Sequence, residues 1–252
     1  LNGKDKLMHV DHLALSMQLR KSADRGHAQR AWLDSYHSFS FGNYYDPAHM
    51  AYSVLRVINE DVISPAQGFG MHPHENMEII TYMLQGELRH EDSLGNGSII
   101  KAGDVQRMTA GTGIVHSEVN ASATHSAHLL QIWIMPQRDG LAPGYEEKNF
   151  TPSQKQDRWC LIAAQDGRDG ALRVHQDMAL YATVLSANIA LSYTLQAGRS
   201  AYIQVASGVV DINGQVLQAG DALMLDADVA TALTVNASLA AELLLFDLPA
   251  AA

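Results

Sequence analysis

Hydrophobic and polar residues alternate on short periods along most of this chain. Residues 51–58 (AYSVLRVI) are rich in β-branched and apolar side chains and predict a strand. Residues 61–70 carry Pro65, Gly68 and Gly70 and read as a loop. A strand is predicted to open at His72 and run on through residues 77–83 (MEIITYM) to Gly86. Shorter strands follow over 88–91, 98–100 and 105–108, separated by the turn clusters at 93–97 and 102–104. The glycine-rich turn 109–113 leads into His116, and residues 129–135 (LLQIWIM) form a buried strand closed by Pro136. Short strands at this spacing predict an all-β sandwich or barrel.

The pattern then partly repeats. Residues 137–156, with Pro143, Gly144 and Pro152, read as a linker between a first unit, 17–136, and a second, 157–252. In the second unit Gly208, the strand 209–212, the Asn213-Gly214 turn and Ala219-Gly220-Asp221 echo the run from Gly86 to Ala102-Gly103-Asp104. Tyr193-Thr194 stand about where His72 and His74 stand in the first unit, and no histidine follows His175. The second unit therefore repeats the scaffold without the ligand pairs. Residues 177–181 are expected to be briefly helical, and 243–246 to form a last buried strand. Residues 22–30 are polar and weakly patterned and suit no single element. The opening 1–16, ahead of Met17, reads as an appended extension and stands outside the fold expectation.

Composition narrows the function classes. The chain has 252 residues, 47% hydrophobic and 17% charged, enough for a sizeable core. A net charge of −10 without a basic patch argues against direct nucleic-acid binding. Cys160 is the only cysteine, so no internal disulfide is available. No stretch is long and apolar enough for a membrane span, and no signal-type apolar core opens the chain. The expected location is the cytoplasm.

Candidate chemistry concentrates in His72-Pro73-His74 and His116-Ser117-Glu118. Residues i and i+2 of a strand point to one face, so each stretch offers two metal-type donors side by side. Two such strands lying close would gather three imidazoles and a carboxylate, a donor set suited to iron, copper, nickel, manganese or zinc. Glu78, four residues beyond His74 on the same nominal strand, offers a second choice of carboxylate and gives the rival set His72, His74, Glu78 and His116. Asp46 is a weaker candidate to support the site, and His37 and His49 to lie near its mouth. His125 and His128 are read as structural or solvated, and Cys160 as a small buried hydrophobe. Gly111-Thr112-Gly113 lacks the helix and lysine of a phosphate loop.

The run from Gly68 to Asn120 resembles the pirin family of the cupin superfamily. The resemblance rests on Phe69-Gly70-Met71-His72-Pro73-His74, Glu78 with Thr81-Tyr82, and His90-Glu91-Asp92-Ser93. It rests further on residues 108–114 (MTAGTGI) and His116-Ser117-Glu118. Residues 32–41 (WLDSYHSFSF), Asn43-Tyr44-Tyr45-Asp46-Pro47, 131–136 (QIWIMP) and Val174-His175-Gln176-Asp177-Met178 extend it in both directions. It implies a bicupin, two double-stranded β-helix (jelly-roll) barrels, with one metal in the first barrel. The implied ligands are His72, His74, His116 and Glu118, which leaves Glu78 a supporting role. The implied cofactor is one divalent transition metal, Fe(II) first, with Cu, Ni, Mn, Co or Zn as the other candidates. The match is nearest to bacterial members with quercetin 2,3-dioxygenase activity. It implies a dioxygenase that opens a flavonol ring with O2 and releases carbon monoxide, with Glu118 as general base. The alternative is an iron-dependent redox sensor or regulatory protein that acts through a protein partner. A roomy pocket at the metal would favour the enzyme and a protein-filled one the regulator.

Overall fold

The computed structural model describes residues 17–251, so the extension 1–16, with His9 and His12, lies outside the described residues. Within that range the protein is built almost wholly of strands, arranged as two similar halves. The first half faces a large sheet against a small one. The large sheet runs in the order Gly144–Asn149, Asp104–Thr109, Glu78–Gln85, Ala127–Ile134, Leu55–Ile63, Leu33–His37, Gly26–Gln29. The small sheet runs Gly68–His74, Ile114–Asn120, Glu87–Asp92, Gly97–Lys101. The second half repeats this plan, with Ala190–Leu195 paired to Thr231–Ala237 as Gly68–His74 is paired to Ile114–Asn120. The fold is the duplicated all-β architecture that the strand pattern predicts and the bicupin that the resemblance implies. No helix of the described residues is long and apolar enough to cross a membrane.

Several local expectations are corrected. The strand expected to run unbroken from His72 through Met83 is two strands in different sheets, Gly68–His74 and Glu78–Gln85. The break falls at Asn76, whose φ is 48° and whose N–H donates to the Gly111 carbonyl at 2.8 Å. Glu78 therefore does not share a strand face with His72 and His74. The loop expected at 61–70 shrinks to residues 64–67, because Leu55–Ile63 continues further and Gly68–His74 starts earlier. The expected linker holds the strand Gly144–Asn149, which pairs with Asp104–Thr109, and a one-turn helix, Pro152–Lys155. Residues 177–181 are not helical: Ala179–Leu185 is a strand between Cys160–Ala164 and Ala241–Pro249. Its apolar run is buried between neighbours, and pairing on both edges overrides weak local helix propensity. The unassigned segment 22–30 holds a 3-10 turn, Ser22–Asp24, and the strand Gly26–Gln29. Met17–Arg20 crosses over and pairs with Ala222–Ala227, so the first of the described strands is stitched into the sheet of the second half.

The two halves share one core. Phe39, Tyr82 and Phe150 pack in the same cluster as Tyr202 and Phe246, with ring centroids of Phe39–Tyr202 at 5.7 Å and Tyr202–Phe246 at 6.0 Å. A second cluster, including Leu195, Leu223, Leu233, Val235 and Leu245, fills the interior of the second half with aliphatic side chains. Phe246 is fully buried in the shared cluster. Phe246→Ala should cost about 3–5 kcal/mol through lost transfer energy and the cavity left behind. A urea melt monitoring the tryptophans should show this as a lower midpoint, and an unchanged midpoint would refute the shared-core account.

Candidate metal centre

The strands Gly68–His74 and Ile114–Asn120 run antiparallel with His72 directly opposite His116. His74, two residues on, shares the face of His72. The His74 ring meets the other two edge to face, at centroid distances of 4.8 Å, while His72 and His116 are tilted to one another at 4.4 Å. The Nε2 atoms of His72 and His116 are 3.0 Å apart. A close approach of backbones holds the two strands in place. A Cβ on Gly68 would run into the carbonyl of Glu118 and the Cα of Val119. Gly68→Ala should therefore push the strands apart, cost about 1–3 kcal/mol of stability and lower metal content. Calorimetry and elemental analysis check both parts.

The donor chemistry fits a transition metal. His72 Nδ1 lies 2.7 Å from the Gly70 carbonyl, which can only accept, so Nδ1 carries the proton and Nε2 presents its lone pair inward. His116 is wholly buried, and its Nδ1 has no partner among the described residues. Burial, and then the charge of neighbouring imidazoles, lowers His74 to about 4 and His116 to about 3. Both rings are neutral at physiological pH, as ligation requires.

Glu118 lies beside this triad, with a carboxylate oxygen within 4.8 Å of a His116 ring nitrogen. Glu118 follows His116 at i+2 in unbroken register with Glu87–Asp92, and a β-bulge in the facing strand, at Gly70 and Met71, sets Phe69 rather than Gly70 opposite it. Its Oε2 accepts from Gln131 Nε2 at 2.7 Å, and its Oε1 lies 3.2 Å from the Thr81 hydroxyl. One close set of donor atoms comprises His72, His74 and His116; a second comprises His90, His116 and Glu118. The second set is poor in free lone pairs, because both His90 nitrogens are engaged. Its Nδ1 lies 3.1 Å from the Gln106 amide nitrogen, and its Nε2 lies 3.1 Å from Asp92 Oδ2.

The other candidates lie elsewhere. Glu78 is fully buried and accepts from the His175 backbone N–H at 3.2 Å, binding the two halves together rather than facing the imidazoles. Asp46 accepts from His49 Nδ1 at 2.8 Å and from the Tyr44 hydroxyl at 3.2 Å, and so fixes the loop around residues 40–49. His49 is spent in that contact, whereas His37 does line the pocket. His128 bonds Glu60 and His125 bonds Thr124. Cys160 is half-buried against the shared core, where burial pushes its thiol up.

In front of the imidazoles opens a cavity of about 560 Å3. Phe41, Tyr44, Phe69 and Trp133 give it aromatic walls, with Phe41 edge-on to Trp133 at 5.4 Å. Its large-sheet side is polar: Ser35, His37, Asn59, Asp61 and Gln131. Sequence reasoning missed Ser35, Asn59, Asp61 and Gln131. The available signal was a polar pair at i and i+2, Asn59 and Asp61, in phase with the apolar residues Leu55, Val57 and Ile63 of the same strand.

Acid should weaken the metal-free protein. Burial lowers His37, like His74, to about 4, and His116 lies at about 3, against 6.5 for the free side chain. Below 6.5 the unfolded chain takes up protons on these three that the native chain refuses, so stability falls as pH falls. Asp61 opposes this, since burial raises it from 3.8 to about 7 and the native chain holds its proton longer. Between pH 6.5 and about 4 the three histidines outweigh the one carboxyl. Each net proton changes stability by about 1.4 kcal/mol per pH unit. Thermal melts of metal-free protein should therefore fall steadily from pH 7 to 4.5, and a flat profile would contradict the buried neutral imidazoles.

Residues 18–134 match the family described as Pirin, and residues 161–248 match the quercetinase C-terminal cupin domain. The chain is 49% identical over 231 residues to a protein of Escherichia coli K12 named quercetin 2,3-dioxygenase, covering 92% of this chain and 98% of that one. This chain belongs to the pirin family. The crystal structure of the bacterial pirin YhhW from E. coli in complex with nickel(II) superposes on this pirin with a TM-score of 0.88 at 48% identity, covering 93% of this chain and 100% of that one. The E. coli protein YhaK is more distant, at 29% identity and a TM-score of 0.70, over 85% of this chain and 93% of YhaK. The two family matches fall on the two halves, so this pirin carries both cupin units. Both close sets of donor atoms among the described residues lie in the first.

Proposed function

We propose that this pirin is a metal-dependent dioxygenase that opens the flavonol ring of quercetin with O2 and releases carbon monoxide. The observation that carries the reading is the imidazole triad facing a roomy, aromatic-walled cavity of about 560 Å3. That volume lies in the ordinary range for small-molecule sites. Flat aromatic walls suit a planar polyphenol, and a regulatory site filled by protein would leave no such space. The relative named quercetin 2,3-dioxygenase and the nickel complex of YhhW support the same chemistry.

His72, His74 and His116 would hold one divalent ion, Fe(II) first, then Cu, Ni, Mn, Co or Zn, with Glu118 as fourth ligand. When bound, the metal supplies Lewis-acid polarisation of the flavonol oxygens and a route for electrons to O2. Glu118 would receive the proton of the flavonol 3-hydroxyl. Gln131 donates to one carboxylate oxygen and so orients it for that task, while the Thr81 hydroxyl, its proton shared between Gln131 Oε1 and Glu118 Oε1, borders the other. Phe41, Phe69 and Trp133 would sandwich the rings and keep bulk water from the reacting edge.

The test pairs elemental analysis of protein purified without added metal with an aerobic quercetin assay that detects carbon monoxide. Quercetin should disappear, with carbon monoxide released, only when O2 and a redox-capable metal are both present. Metal-loaded protein that leaves quercetin untouched under air would defeat the proposal and favour the redox-sensing role.

A further inference from the structure

A row of buried polar side chains crosses the large sheet beneath the cavity. His37, Asn59, Gln131 and Thr81 are successive cross-strand partners at one register, on four adjacent strands. Ser35 and Asp61 form the next pair along, two residues away on the same face. One end of this row is accounted for, because Gln131 and Thr81 hold Glu118. The other end is not. Asn59 Oδ1 and His37 Nδ1 are buried without a hydrogen-bond partner among the described residues. Asp61 is 3% exposed, and only its Oδ1 is engaged, by the Ser35 hydroxyl. Buried polar atoms are rarely left unpaired, and these line a cavity large enough for a ligand.

The hydrogen-bond chain sets their polarity. With Asp61 ionised, its carboxylate can only accept, so the Ser35 hydroxyl donates to it. The Ser35 oxygen then accepts from His37 Nε2, 2.9 Å away. His37 is therefore an Nε2–H tautomer, and its free Nδ1 is a lone pair. Asp61, Asn59 Oδ1 and His37 Nδ1 together present acceptors and call for donors.

We propose that Asp61, Asn59 and His37 form a second binding subsite, an acceptor wall for the ring hydroxyls of a polyphenol whose opposite end lies against the imidazoles. The subsite rests on the flavonol reading above and deepens it: it selects flavonols by hydroxylation at the edge remote from the 3-hydroxyl. Aliphatic side chains in this row would bind any flat aromatic, whereas the acceptors favour a hydroxylated one and leave a bare ring with unpaired neighbours.

The experiment is an anaerobic fluorescence titration of metal-loaded protein at pH 8 with quercetin and with 3-hydroxyflavone. The latter keeps the 3-hydroxyl and carbonyl but lacks the remaining ring hydroxyls. Wild type should prefer quercetin by roughly tenfold to a hundredfold, the range for hydrogen bonds to a charged or buried acceptor. Asp61→Asn should weaken quercetin by about tenfold or more and 3-hydroxyflavone far less, collapsing the preference. Asn59→Leu supplies the same test if Asp61→Asn does not fold. Metal content and melting temperature accompany each variant. If folded, metal-loaded Asp61→Asn or Asn59→Leu keeps the wild-type preference, the subsite is wrong and the flavonol reading stands. If wild type binds neither compound, the flavonol reading falls and the subsite falls with it.

Discussion

His74→Ala should empty the metal site and abolish quercetin consumption. His74 closes the imidazole triad, 4.8 Å by ring centroid from each of the other two, and stacks edge-on to Trp133 at 5.0 Å. It ends its strand and is only partly buried, so truncation removes a donor without opening the core. Two imidazoles would remain, and His72 is anchored through its other nitrogen whether or not a metal is bound. Loss of a metal that stabilises developing charge by several kcal/mol corresponds to a fall in turnover of about a thousandfold or more. Elemental analysis should show metal at background, with a melting temperature close to that of chelator-stripped wild type. Adding metal back should restore stripped wild type and not the variant. A His74→Ala protein with full metal content and normal turnover would remove His74 from the ligand set.

Glu118→Gln separates two roles that the proposal gives to one side chain. The amide keeps the size and one oxygen donor but cannot take a proton. If Glu118 is the general base, turnover per bound metal should fall by about a hundredfold or more, while quercetin binding changes little. Gln131 and Thr81 would still bracket position 118, which limits rearrangement. Near-normal turnover in a metal-loaded Glu118→Gln protein would reject the base role. The position of Glu118 makes this informative: its carboxylate is held by protein hydrogen bonds and sits two residues from His116 in unbroken register with Glu87–Asp92.

How much of this site was legible beforehand depended on the range of the interaction. The pairs His72/His74 and His116/Glu118 could be read because the period of a strand is local: i and i+2 share a face whatever the strand pairs with. Local reading also failed locally. Nothing in the run from His72 to Met83 announces that Asn76 turns with positive φ, because that turn is held by Gly111, far along the chain. The mistaken continuity placed Glu78 with the imidazoles, while the fold gives it to His175. The strand Gly144–Asn149 was hidden in an apparent linker because its pairing with Asp104–Thr109 leaves little trace in a polar edge sequence.

The sequence by itself determined the all-β class, the duplicated plan, the absence of histidine beyond His175 and the two candidate donor pairs. Each follows from composition or from a period of a few residues. The tertiary structure decided which strands meet, and with them the opposition of His72 to His116 and the bulge in the strand Gly68–His74 that sets Phe69 opposite Glu118. It also built the polar row from His37 to Thr81, whose members come from four strands spread over some of the longest separations in the first half. Cross-strand register depends on the whole set of pairings made when the sheets close, so a row assembled across strands has no signature in any one of them.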